Sequence, residues 1–192
     1  MREGSKRIWT VPNALTMLRL LLIPVYWVLM MSAGNEKAAL IVFVAASLTD
    51  LLDGYIARKY DMITDFGKLF DPLADKLMVL SVMTSLTIKH IIPWPVLTVI
   101  LIKELLMIIG SYILLKHEIL VYAKSVGKVA QFTIVVGLIL SFFHESFTAF
   151  PLHLIILGIG TALTVGAFIY YLSAGIRALR NKEQDAPSKQ EV

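Results

Sequence analysis

Four aspartates, Asp50, Asp53, Asp71 and Asp75, fall within one stretch, TDLLDGYIARKYDMITDFGKLFDPLADK, beside apolar segments long enough to belong to a membrane. An ionised carboxylate in or near hydrocarbon is costly unless it is paired, wetted or bound to a metal. Together the acids read as a cation site. On helices, Asp50 and Asp53 are three residues apart and Asp71 and Asp75 four apart. Each pair then lies on one face, and two facing helices can converge the carboxylates on a single point. Oxygen donors without His or Cys suit hard divalent ions, Mg²⁺ first and Mn²⁺ next. This many carboxylates can hold two such ions about 4 Å apart.

The residues between the acids extend that chemistry. Gly54 and Ala57 leave a strip without bulky side chains, where a ligand can approach the backbone, and Gly67 does the same. Arg58 supplies a fixed positive fork. A guanidinium beside a two-metal carboxylate site matches a diphosphate, the metals taking some oxygens and the Arg taking others in bidentate fashion. Asp71-Pro72 has the form of a helix start, with Asp as cap and Pro as the first helical residue. Capping is therefore the competing role for Asp71.

Such residues need a scaffold, and composition says which kind. With 57% hydrophobic residues, 17% charged and a mean hydropathy of +0.75, the chain lies outside the range of soluble domains. Apolar segments run over about 14–33, 37–57, 72–89, 93–115, 128–143 and 152–176. The expected fold class is all-α and integral to the membrane: a six-transmembrane-helix bundle of about 20 residues per crossing. It forms a single domain over residues 1–180, followed by a polar tail at 181–192 expected to be disordered and without chemistry. No internal repeat of any strength is visible. Cysteine is absent, which excludes disulfides, a thiolate nucleophile and cysteine-based metal sites. The positive start lacks a cleavable signal pattern, so the first helix is expected to be retained.

Basic residues outside the spans cluster at Arg2, Lys6 and Arg7, at Arg58, Lys59 and Lys68, at Lys116, Lys124 and Lys128, and at Arg177, Arg180, Lys182 and Lys189. The alternate connections hold only Lys37 and Lys89. The positive-inside rule then puts both termini and the acidic motif at the cytoplasmic face. The second and third spans have short uncharged runs, Ala38–Thr49 and Leu77–Ile88. The acids thus sit about one to three helical turns inside that face, in a wet, protein-lined cavity.

The pattern Asp50-x2-Asp53-Gly54-x2-Ala57-Arg58-x8-Gly67-x3-Asp71-x3-Asp75 resembles the signature of the CDP-alcohol phosphatidyltransferase family at every fixed position. The likeness extends to Val11-Pro12-Asn13-Ala14-Leu15-Thr16 with Arg19 and to Asp71-Pro72-Leu73-Ala74-Asp75-Lys76. It implies an enzyme of a bacterial cell membrane that transfers a phosphatidyl group from CDP-diacylglycerol to an acceptor hydroxyl and releases CMP. It also implies two divalent cations, Mg²⁺ or Mn²⁺, and a homodimer. On this resemblance Asp50, Asp53, Asp71 and Asp75 are metal ligands, and Asp75 is also the base for the acceptor hydroxyl. Asp50, Gly54, Ala57, Arg58 and Gly67 would bind the CDP-lipid. Membrane lipids are the expected surroundings, and no nucleic-acid partner is expected.

The acceptor rests on fewer residues. Lys124 and Lys128, four apart with Gly127 between them, can form a cytoplasmic anion pocket for glycerol 3-phosphate, or simply anchor the loop by the positive-inside rule. The Gly-Lys pair resembles the acceptor segment of phosphatidylglycerolphosphate synthases, which makes glycerol 3-phosphate the first choice. Those enzymes usually continue with a second Lys and a Thr, where this chain has Ala130 and Gln131. The alternative is a cardiolipin synthase using phosphatidylglycerol, whose single phosphodiester charge needs fewer basic residues. Arg19 is read as a further acceptor contact, with snorkelling to headgroups as its competing role. Lys103 and Glu104 lie near mid-span and, as helix neighbours, are expected to need separate partners. His90, His117, His144 and His153 lack metal-ligand spacing and are expected to be interfacial or solvated. A remote rival is an ion-coupled transporter. The acids cluster at one face with no inverted repeat, which counts against it.

Overall fold

The computed structural model describes residues 10–59, 65–116, 125–147 and 150–185, the side chains of 51, 53–58, 65, 66, 68, 69, 125, 126, 147 and 181–185 excepted. Regular structure among the described residues is helical throughout: α1 Val11–Trp27, α2 Glu36–Lys59, α3 Asp65–Ile88, α4 Trp94–Lys116, α5 Ser125–Ser141 and α6 Leu152–Asp185. Each of the six apolar segments thus contains a helix. Among the described residues three stretches are long and apolar enough to cross a membrane, Val11–Ser32, Trp94–Lys116 and Leu152–Arg180, and the chain is a membrane protein. The α2 and α3 helices have 24 residues each, about 36 Å of length, but their charged ends dilute their apolar character.

Local sequence explains the helix ends. Thr10 caps α1 by accepting from the Asn13 N–H at 3.4 Å, with Pro12 in the first turn, where its missing N–H has no intrahelical acceptor to lose. Pro24 removes a donor within α1, and the helix widens into a π-helical turn at Val28–Ser32 before stopping. Asn35 then caps α2 through the Ala38 N–H at 3.0 Å. The end of α3 closes with His90 N–H to the Thr87 carbonyl and Ile91 N–H to the Leu86 carbonyl, both 3.0 Å. This closure places His90 at φ 60°, in the left-handed region that glycine usually fills.

Two boundaries differ from the sequence expectation. The α3 helix begins at Asp65, so Asp71 and Pro72 lie inside it and Asp71 is not its cap. Pro72 forfeits one hydrogen bond about two turns into a helix that packing holds together, which a membrane helix tolerates. The α6 helix runs on to Asp185, because Arg-Asn-Lys-Glu-Gln contains good helix formers and no Gly or Pro interrupts before Pro187.

The chain divides into two compact units, Met1–Pro93 with Leu138–Thr148, and Trp94–Gly137 with Ala149–Val192. In the first unit α1 packs extensively on both α2 and α3, which touch each other less. Its core is Tyr26 from α1, Met30 from the π-helical turn that follows it, Ala39, Phe43 and Ala46 from α2, and Ala74, Met78, Val82 and Leu86 from α3. The 39, 43, 46 spacing marks one helix face, and its alanines let backbones approach closely. Lys89 Nζ meets Glu36 Oε1 at 2.6 Å, joining the end of α3 to the start of α2. The Tyr26 hydroxyl bonds Ser85 Oγ at 2.6 Å in the same core. Because the end of α3 meets the start of α2 here, the two helices run antiparallel, with the acidic end of α2 at the level of the acidic start of α3.

In the second unit α4 packs on α6. Gly137 lies against Leu157, and Gly160 against Ile134, so a Cβ at either glycine would meet the facing side chain within 3 Å. The outer side of α4, including Ile102, Leu105 and Ile109, is exposed and apolar as a lipid-facing surface requires. Lys103 and Glu104, expected to need separate partners, form an ion pair with each other. Long flexible side chains can bend together although their Cβ atoms diverge.

Candidate active site

Asn13, Thr16 and Arg19 recur every third residue along the otherwise apolar α1, and all three are buried. Met17, Leu18, Leu21 and Val25 are exposed instead. This is an inverted helix, polar face inward and apolar face outward, as expected where the surroundings are lipid. Burial of those polar groups requires partners. Arg19 Nη1 meets Asp50 Oδ1 at 2.8 Å, with the Arg side chain 1% exposed and the Asp 36%. Thr16 Oγ1 donates to Asp71 Oδ1 and also lies 3.1 Å from the Pro12 carbonyl oxygen. One turn of α1 therefore touches one acid of α2 and one of α3.

Arg19 and Thr16 are one turn apart on α1, so the Asp50 and Asp71 carboxylates that they contact are drawn to the same level of this unit. Two like charges held near each other, with one guanidinium beside them, leave an excess of negative charge that a cation would offset. Asp75 lies one helical turn beyond Asp71 and is half-buried, while Gly67 and Ala74 are buried on the same helix. The α2 backbone carries Asp53, Gly54, Ala57 and Arg58, whose side chains lie outside the description. By helical spacing Asp53 shares the Asp50 face, one turn nearer the end of α2.

Among the described residues, no group of three His, Cys, Asp or Glu side chains is close enough to hold an ion. The set expected from sequence includes Asp53, whose side chain is not among them. The donors that are described fit the expected metals in chemistry, because Asp50, Asp71 and Asp75 offer only hard carboxylate oxygens, without sulfur or imidazole.

Of the residues read as acceptor contacts, Lys128 is exposed on α5 in the second unit, and Lys124 lies outside the described residues. Arg19 is buried against Asp50 and does not snorkel. His153, expected to be interfacial or solvated, is buried on α6. Sequence reading counted Thr16 in the family likeness but gave it no role, although the three-residue spacing of Asn13, Thr16 and Arg19 in an apolar helix marks one polar face.

The family model for CDP-alcohol phosphatidyltransferase matches residues 9–166. The chain is 31% identical over 190 residues to a Bacillus subtilis protein named CDP-diacylglycerol–glycerol-3-phosphate 3-phosphatidyltransferase, covering 90% of this chain and 98% of that one. It is equally 31% identical over 191 residues to a probable phosphatidylglycerophosphate synthase of Mycobacterium tuberculosis, covering 95% and 90%. A Streptomyces coelicolor protein named cardiolipin synthase (CMP-forming) is 30% identical over 183 residues, covering 91% and 78%. Signature, helices and relatives agree, and the chain belongs to the CDP-alcohol phosphatidyltransferase family.

Proposed function

We propose that the protein makes phosphatidylglycerol phosphate, transferring the phosphatidyl group of CDP-diacylglycerol to glycerol 3-phosphate and releasing CMP. The carrying observation is that one turn of α1 touches two motif acids on two other helices, Asp50 of α2 through Arg19 and Asp71 of α3 through Thr16. Relatives named for this reaction align over nearly their whole length.

Asp50, Asp53, Asp71 and Asp75 would hold two divalent cations, Mg²⁺ or Mn²⁺, which when bound neutralise the diphosphate and stabilise CMP as leaving group. Gly54, Ala57 and Gly67 give the CDP portion close access to backbone, and Arg58 takes diphosphate oxygens in bidentate fashion. Asp75 accepts the proton of the acceptor hydroxyl. That oxygen forms a bond to the phosphatidyl phosphorus as the bond from phosphorus to the CMP oxygen breaks. Lys128, with Lys124, binds the acceptor phosphate. Acyl chains enter the apolar interior from the bilayer, which accounts for a site below the membrane surface. Six crossings with cytoplasmic termini would open the site to the cytoplasm of a bacterial cell, in a homodimer.

A second reading, cardiolipin synthesis from phosphatidylglycerol, is favoured by the Streptomyces relative and by Ala130 and Gln131 following the Gly-Lys pair. One experiment separates the two. Purified protein with Mg²⁺ or Mn²⁺ and CDP-diacylglycerol is offered glycerol 3-phosphate, phosphatidylglycerol, serine or inositol phosphate separately, and the lipid formed is identified. Glycerol 3-phosphate is expected to support CMP release. Turnover with phosphatidylglycerol alone would establish the second reading, and no release with any acceptor would overturn both.

A further inference from the structure

We propose that Thr16 and Arg19 are positioning residues that orient the Asp71 and Asp50 carboxylates for cation binding, a role resting on the reading of those acids as the cation site. Neither residue belongs to the acidic signature, and both are buried on α1. A full positive charge and a hydroxyl inside a membrane helix are costly unless specific partners meet them, and each here meets one motif acid. With the Arg19 side chain sealed from solvent, this geometry gives an acceptor no route to its guanidinium.

The two contacts differ in charge, and the difference has a purpose. Arg19 offsets the repulsion between Asp50 and Asp71, allowing both to approach before any cation arrives. Thr16 fixes its carboxylate through a neutral donor and leaves the Asp71 charge undiminished. Each contact holds an oxygen of its carboxylate, so α1 restrains both acids. A carboxylate ligand held in this way loses less freedom when it binds an ion, which is how outer hydrogen-bond partners raise metal affinity.

The test uses the full-length protein in detergent micelles, with Mn²⁺ binding followed by the electron paramagnetic resonance signal of free Mn²⁺. Thr16→Val keeps the shape and removes the hydroxyl, while Thr16→Ser restores it. Thr16→Val is expected to weaken Mn²⁺ binding by roughly tenfold or more, with Thr16→Ser close to the parent protein. Arg19→Lys is expected to weaken Mn²⁺ binding and leave the acceptor KM unchanged at saturating Mn²⁺. Equal Mn²⁺ titrations for Thr16→Val and the parent would overturn the Thr16 assignment. An unchanged titration with a raised acceptor KM in Arg19→Lys would return Arg19 to acceptor binding. If Arg19→Lys fails to fold, the Thr16 pair still decides whether α1 positions the acids. A parent protein that binds no Mn²⁺ would overturn the cation reading itself.

Discussion

Arg19 of α1 and Asp50 of α2 form an ion pair at 2.8 Å in which the cation is sealed and the anion is about one-third exposed. A basic side chain near a helix end in a membrane protein ordinarily reaches out to headgroups. Here it turns inward, and the neighbouring Thr16 does the same toward Asp71. The packing of α1 and the acids proposed to bind cations therefore share side chains at this end of the first unit.

That sharing makes Asp50 a residue of the fold as well as of the proposed site. Asp50→Ala would leave a buried guanidinium without its partner carboxylate. It is expected to cost about 2–3 kcal/mol, less than the roughly 3–5 kcal/mol of a fully buried pair because Asp50 is partly exposed. Thermal unfolding in the presence of a chelator checks this, since a purely metal-dependent role predicts no change there.

Asp75→Asn keeps the size of the side chain and removes the base proposed for the acceptor hydroxyl. CMP release is expected to fall by roughly 10²- to 10⁴-fold while most CDP-diacylglycerol binding survives. Calorimetric titration beside the turnover assay distinguishes this from loss of the whole site.

Lys128 stands exposed on α5, where its removal should disturb little packing. Lys128→Ala is expected to raise the KM for glycerol 3-phosphate by roughly tenfold, the scale of one charge-assisted hydrogen bond. The KM for CDP-diacylglycerol should hold steady, and an equal rise in both would refute the pocket assignment.

The glycines of the second unit offer a packing test. An added Cβ would lie 2.8 Å from Leu157 Cγ at Gly137 and 2.9 Å from Ile134 Cγ1 at Gly160, but would meet nothing within 4 Å at Gly110. Gly137→Ala and Gly160→Ala are each expected to destabilise by about 1–3 kcal/mol. Gly110→Ala should be neutral or stabilising by up to about 1 kcal/mol, from helix propensity alone. Melting temperatures in one detergent provide the comparison.

His90 closes α3 with a left-handed backbone, φ 60°. His90→Gly removes the Cβ conflict and is expected to stabilise by about 1 kcal/mol. No rise in melting temperature would show that the imidazole itself compensates for the strain.

Much was readable from the chain alone. The acid spacing, the intervening glycines and Arg58 carry the family signature, and apolar run lengths locate the helices, because both follow from neighbours in sequence. The α3 boundary misled, since Asp-Pro carries the local signature of a helix start while the real helix begins at Asp65. Local signals cannot report that packing carries a helix through a proline. The Lys103–Glu104 pair misled for a related reason, as Cβ directions say little about where long side chains end.

Sequence by itself determined the class of protein, the identity of the carboxylates and their family, all of which depend on residue type and spacing. Only the tertiary structure decided that α1 turns Thr16 and Arg19 toward Asp71 and Asp50. The rotation of one helix about its axis relative to two others is set by how all their side chains pack at once, a property that no single segment encodes.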